Sequence, residues 1–178
     1  MPIFYLFFIW AFLMSAAGLA LVSQASGIVN ASVSVTPSTV ATLAGLISIA
    51  NGIGRVCFGI VYDKKGGNIV LLTIDCFFIV SAILLISALK VNSITALILG
   101  FAIGGLGYGG ITCANSAYIS STFGQKYYPK NFSIINMNLL IASFGSTVAG
   151  SLLDKTGTYM SISFMMITLS VAGVILTL

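Results

Sequence analysis

A single arginine, Arg55, sits inside an otherwise apolar stretch, eight residues before Asp63. At about 1.5 Å of rise per residue, that spacing puts it about 12 Å in from the end of a helix. A guanidinium is a planar fork of donors that matches a carboxylate, so on a water-filled face it is a receptor for an organic anion. Placing it in hydrocarbon costs about 3 kcal/mol on insertion scales, and something must compensate. Ala44, Ser48, Asn51, Arg55 and Gly59 recur at intervals of four, three, four and four, which lines small and polar side chains along one side of a helix. A second reading is an ion pair within the membrane. Asp75 lies ten residues after Lys65 as Arg55 lies ten before it, so a helical hairpin would set both at similar depth. The two roles of Arg55 can also alternate during a transport cycle. Asp75 alone is a candidate proton site, although Thr73-Ile74-Asp75-Cys76-Phe77-Phe78 reads as a packed or lipid-facing context.

Other polar groups are sparser. Asn136, Ser143, Thr147 and Gly150 fall at spacings of seven, four and three, again one helical face, which in lipid must meet protein or an aqueous cavity. Gly100, Gly104, Gly105, Gly107, Gly109 and Gly110 crowd one run that continues to Thr112 and Asn115. Pairs of small residues four apart let helices approach closely, and clustered glycines also let a helix bend. Tyr108 lies inside this run. The Gly-x-Gly-x-x-Gly spacing there is not a nucleotide fingerprint, because a membrane span offers no strand-to-helix turn.

The elements that position these residues follow from composition. Of 178 residues 58% are hydrophobic and 6% charged, with seven basic and three acidic side chains and a net charge of +4. An ordinary soluble domain carries about a quarter charged residues, so a soluble enzyme, a disordered chain and a nucleic-acid binder are excluded. The partner is a lipid bilayer. Glu and His are absent, which removes His-based catalysis and most metal sites; no cofactor and no enzymatic activity are expected. Cys57, Cys76 and Cys113 lie in apolar runs and read as reduced packing residues.

Six runs are long enough to cross a hydrocarbon core about 30 Å thick: Ile3 to Val29, Thr39 to Tyr62, Ile69 to Leu89, Ile94 to Phe123, Phe132 to Leu153 and Tyr159 to Leu178. The breaks carry turn and charge residues, including Asp63 to Asn68, Lys90 to Ser93 and Asp154 to Gly157. The first run lacks the basic flank and short apolar stretch of a signal peptide. Lys64, Lys65, Lys126 and Lys130 occupy the second and fourth connections, against Lys90 and Lys155 in the odd-numbered ones. This bias sets the even connections and both termini in the cytoplasm of a multi-pass cell-membrane protein.

Gly59-Ile60-Val61-Tyr62-Asp63-Lys64-Lys65-Gly66 and Gly150-Ser151-Leu152-Leu153-Asp154-Lys155-Thr156-Gly157 share G-x-x-x-D-K-x-G, 91 residues apart. Three spans separate the copies, so they fall on opposite membrane faces. An inverted three-plus-three repeat predicts that placement. The expected fold is therefore an all-α membrane protein, a single six-helix transmembrane bundle with a first three-helix repeat over residues 1–90 and a second over 91–178. Chance recurrence of Gly, Asp and Lys in short loops is the plainer alternative.

Asn51-Gly52-Ile53-Gly54-Arg55 and the G-x-x-x-D-K-x-G run that ends at Gly66 resemble the eighth helix and following loop of the major facilitator superfamily, especially its oxalate/formate antiporters. Gly105-Leu106-Gly107-Tyr108-Gly109-Gly110 and Gly150 to Tyr159 resemble that family's tenth helix and its last interhelical loop, and monocarboxylate transporters share parts of the pattern. The resemblance covers the chain as a C-terminal half, helices seven to twelve. It implies a substrate carboxylate bound at Arg55. Two departures matter: Phe144 stands where the oxalate-type antiporters carry a lysine, which weakens the case for a dicarboxylate, and Asn51 stands where monocarboxylate transporters have an aspartate. An amide does not titrate, so proton coupling through position 51 is not expected.

The leading expectation is half of a secondary transporter that moves a small organic anion by alternating access, with Arg55, Asn51, Tyr108, Asn136 and Ser143 as substrate ligands. Gly59, Asp63, Lys64 and Gly66 would form a gating loop. Such transporters bind substrate between two six-helix halves, so the chain needs a second half: a separate chain, a missing N-terminal portion or a second copy in a homodimer. The rival expectation is a non-transporting membrane subunit or the remnant of an interrupted gene, since the sequence begins close to one span and ends inside another.

Overall fold

The structure is a computed structural model and describes Pro2–Leu178. Eight helices occur among the described residues: α1 (Pro2–Ser32), α2 (Pro37–Lys65), α3 (Gly67–Val91), α4 (Ile94–Phe123), α5 (Tyr128–Asn136), α6 (Asn138–Ala142), α7 (Phe144–Thr156) and α8 (Met160–Thr177). The α5, α6 and α7 segments follow one path from Tyr128 to Thr156, so the chain has six segments long and apolar enough to cross a membrane. The protein is an all-α, multi-pass membrane protein.

Connections are shorter than the sequence suggests. Asp63, Lys64 and Lys65 are the last turn of α2 and not a loop; Gly66 alone joins α2 to α3. Its φ of 83° and ψ of 173° lie where a Cβ is strongly disfavoured, so one glycine reverses the chain and its neighbours stay helical. Gly157, at φ 67°, ends α7 with its N–H on the Leu153 carbonyl at 2.7 Å. Both copies of the repeated motif thus end a helix on a positive-φ glycine that follows basic residues, which suit the negative end of the helix dipole. Polar caps start other helices: Thr36 Oγ1 accepts from the Thr39 N–H at 3.4 Å before Pro37, and Ser93 Oγ accepts from the Ala96 N–H at 3.3 Å.

Packing builds one core from α1, α3 and α4, with Trp10, Met14, Leu21, Ile74, Phe78, Leu85, Leu97 and Phe101 fully buried. The most extensive helix pairs are α4 with α2 and α4 with α3; α8 lies against α3 and α1, and α1 also meets α6 and α7. Outward-facing Ile49, Val56, Leu140 and Ile175 are exposed, which suits lipid or an apolar partner.

The glycine run of α4 is a packing surface on an unbroken helix. A Cβ on Gly105 would fall 2.6 Å from the Ile47 carbonyl oxygen, and one on Gly54 would fall 2.3 Å from that of Leu106. Backbone meets backbone along this seam, as close small-residue packing requires. The opposite side of α4 meets α3, where Ser81 Oγ donates to the Gly100 carbonyl at 2.8 Å.

The fifth span is where expectation and structure part. A continuous run over Phe132 to Leu153 is instead interrupted at Met137 and Ser143. Polar side chains account for the breaks. Asn138 Nδ2 donates to the Ile135 carbonyl at 2.5 Å, Ser143 Oγ to that of Leu140 at 2.7 Å, and Ser146 Oγ to that of Ser143 at 2.6 Å. Each takes a carbonyl near a break, and the Met137, Leu140 and Ser146 N–H groups bond three residues back. Such local competition bends helices.

Candidate functional site

Arg55 is exposed on α2 and lies beside the seam with α4, where a Cβ on Gly109 would fall 3.0 Å from its backbone nitrogen. One turn earlier, Asn51 Oδ1 accepts from Arg55 Nε at 3.2 Å. The contact orients the guanidinium, and its terminal nitrogens have no hydrogen-bond partner among the described residues. The predicted spacing of four therefore makes a positioning pair. A uniformly charged fork held at Nε keeps its two outer N–H edges free for a planar anion.

Arg55 borders two recesses. The smaller, about 170 Å³, is lined by Ser15 of α1, Arg55 of α2, Tyr108, Thr112 and Asn115 of α4, and Asn136 of α5. Four spans converge on it. The larger, about 490 Å³, continues along Thr112, Ser116 and Gln125 to Tyr128, where the Tyr128 hydroxyl and Ser116 Oγ share a hydrogen bond of 2.8 Å. Three of the expected ligands, Arg55, Tyr108 and Asn136, are thus brought to one place, with Asn51 behind Arg55. Tyr108 reaches it because α1 yields space: a Cβ on Gly18 would fall 2.2 Å from the Tyr108 ring.

Ser143 is not part of this site. It is exposed, lies outside both recesses, and its hydroxyl is engaged by the Leu140 carbonyl. The break at Met137 separates it from Asn136 and disrupts the regular face that the seven-residue spacing implied. Gly59, Asp63 and Lys64 lie on α2 itself, so the expected gating loop reduces to Gly66.

Nor does the structure pair Arg55 with Asp75. Asp75 is fully buried between α1, α3 and α8, where Trp10 Nε1 donates to its Oδ1 at 3.0 Å and the Thr177 hydroxyl lies 3.4 Å from its Oδ2. Similar depth on adjacent helices was the basis of the expected pair, but Arg55 and Asp75 occupy different sides of the bundle.

Two site residues were not singled out as ligands. Ser15 and Asn115 line the smaller recess, are 0% and 4% exposed, and leave Ser15 Oγ and Asn115 Oδ1 without a hydrogen-bond partner. A buried orphan costs about 1–3 kcal/mol. A lone serine in Met14-Ser15-Ala16-Ala17-Gly18 gives no signal by itself, because serine ordinarily satisfies its hydroxyl on its own helix; Asn115 closes the glycine run and carried the stronger hint. Among the described residues no cluster of metal-ligating side chains occurs.

No protein-family model matches the chain, and no curated protein matches it in sequence.

Proposed function

We propose that the protein is one six-helix half of a secondary transporter and moves a small organic anion, with Arg55 as the carboxylate ligand. The observation that carries this reading is the recess in which Arg55, with its outer N–H groups free, meets Tyr108, Asn136 and the orphan polar atoms of Ser15 and Asn115. A membrane protein that keeps a cation and two unsatisfied polar atoms around one small recess supports a polar ligand there.

Two further features support the reading. Exchanging α1 with α4, α2 with the α5–α7 path, and α3 with α8 sends α2–α4 packing onto α1–α7 packing and α3–α4 onto α1–α8. An inverted repeat of the kind found in the major facilitator superfamily has this pairing. The larger recess runs from Arg55 towards the connection that holds Lys126 and the first turn of α5 that holds Lys130, the side assigned to the cytoplasm by basic bias. A second six-helix half, lying against the open sides of α2 and α5–α7, would complete the path.

Uptake of labelled monocarboxylates and dicarboxylates into proteoliposomes, with the partner half supplied, tests the proposal. Carboxylate uptake that falls with Arg55→Gln supports it. Uptake indifferent to that substitution removes Arg55 from the path.

A further inference from the structure

We propose that Asp75 is a proton-binding site whose protonated carboxyl group clasps α1, α3 and α8 together. The inference stands whether or not an anion binds at Arg55.

The first support is charge. Among the described residues Asp75 has no cation within salt-bridge distance, and the helices packed on it have none to offer: α1, α4 and α8 contain no Lys, Arg, Asp or Glu. Their titratable side chains are Tyr5 on α1 and Tyr108, Cys113 and Tyr118 on α4. On α3 itself, Cys76 is exposed and Lys90 is fifteen residues away, about 22 Å along the helix. On α2, Arg55 faces the other recess and Asp63, Lys64 and Lys65 are exposed at the helix end. An ionised carboxylate buried among these groups would lack a counter-charge.

The second support is hydrogen placement. Oδ1 accepts from Trp10 Nε1 at 3.0 Å. Thr177 Oγ1 is 3.0 Å from both the Gly173 and Val174 carbonyls and 3.4 Å from Asp75 Oδ2. A hydroxyl has one hydrogen, and the nearer carbonyls claim it. A proton on Oδ2 then donates to Thr177 Oγ1, and each polar group has a partner. Gly173 makes room, since a Cβ there would fall 2.7 Å from Asp75 Oδ1.

The third support is access. A recess of about 230 Å³ at the end of the bundle, bordered by Asn68 and Leu178, is lined by Trp10 and Thr177, the two partners of Asp75. The recess thus reaches both partners of Asp75, and the buried carboxyl lies directly behind them. Loss of the proton leaves a bare charge at a three-helix junction and loosens α8 from α3.

The chain holds three carboxylate side chains, all Asp, so infrared difference spectra of the full chain in lipid bilayers assign the group cleanly. The wild type at neutral pH is expected to show the carbonyl stretch of a protonated carboxyl group, retained in Asp63→Asn and Asp154→Asn and lost in Asp75→Asn. Trp10→Phe should move that band to higher frequency, because Oδ1 loses its donor. Asp75→Asn, whose amide reproduces both contacts, should melt close to the wild type, and Asp75→Ala well below it. Absence of the band in the wild type, a band unmoved by Trp10→Phe, or an Asp75→Asn protein that melts as low as Asp75→Ala would each overturn the proposal.

Discussion

Gly109 of α4 lies so close to Asn51 of α2 that a Cβ at position 109 would fall 2.1 Å from the Asn51 carbonyl oxygen. That carbonyl belongs to the residue whose side chain holds Arg55 Nε. Helix packing and the orientation of the candidate anion ligand therefore share one residue. Gly109→Ala is expected to destabilise the bundle by about 1–3 kcal/mol and to weaken uptake beyond the loss of folded protein. Melting and uptake per folded molecule, measured together, check both effects.

Removing the guanidinium should be costly. Arg55→Gln and Arg55→Ala each remove a charge-assisted hydrogen bond of about 1.5–3 kcal/mol, roughly 10- to 100-fold in apparent carboxylate affinity. Arg55→Lys should retain part of it, because an ammonium keeps the charge without the planar fork. Concentration dependence of proteoliposome uptake reads these differences, and equal apparent affinities across the three variants would contradict the assignment.

Asn115 separates ligand binding from packing. Asn115→Leu replaces a buried orphan amide with an apolar side chain, so melting should stay level or rise by about 1 kcal/mol. Uptake should fall about tenfold, because the recess loses a polar wall. A variant that loses stability and keeps full uptake would assign Asn115 to the scaffold.

Two glycines on one helix path should respond in opposite ways. Gly66→Ala forces a side chain into a φ of 83° and should cost about 1–3 kcal/mol. Gly52 has no neighbour within 4 Å of its missing Cβ, so Gly52→Ala should gain about 1 kcal/mol from helix propensity. Thermal melting of the two variants in the same lipid measures the contrast.

Orientation is open to direct labelling. In a background without Cys57, Cys76 and Cys113, Lys64→Cys and Lys126→Cys should react with membrane-permeant maleimides and resist impermeant ones in intact cells. Asn92→Cys and Asp154→Cys should react with both reagents. The opposite pattern would invert the topology read from the basic residues.

The sequence made the spans legible because hydrophobic length is a strong signal in a bilayer: Ile94 and Phe123 bound a segment in the sequence and α4 in the structure. Connections were less legible. Charge and turn residues at Asp63 to Asn68 suggested a loop, but one positive-φ glycine was sufficient to reverse the chain. Within the site, Arg55 and Asn51 follow from a four-residue spacing on one helix. Their company with Tyr108, Asn136, Ser15 and Asn115 depends on how four elements cross, and no local pattern encodes that. Ser143 shows the converse. Its spacing placed it on a polar face, yet its hydroxyl is taken by its own backbone.

The interruptions at Met137 and Ser143 give the fifth span a property that the unbroken α4 lacks. In hydrocarbon, opening a helix normally strands carbonyls where no water can reach them. Here Asn138, Ser143 and Ser146 already hold the Ile135, Leu140 and Ser143 carbonyls. The span carries its own replacement for solvent at two joints, so a bend there leaves no carbonyl bare to lipid, whereas α4 runs unbroken between α2 and α3.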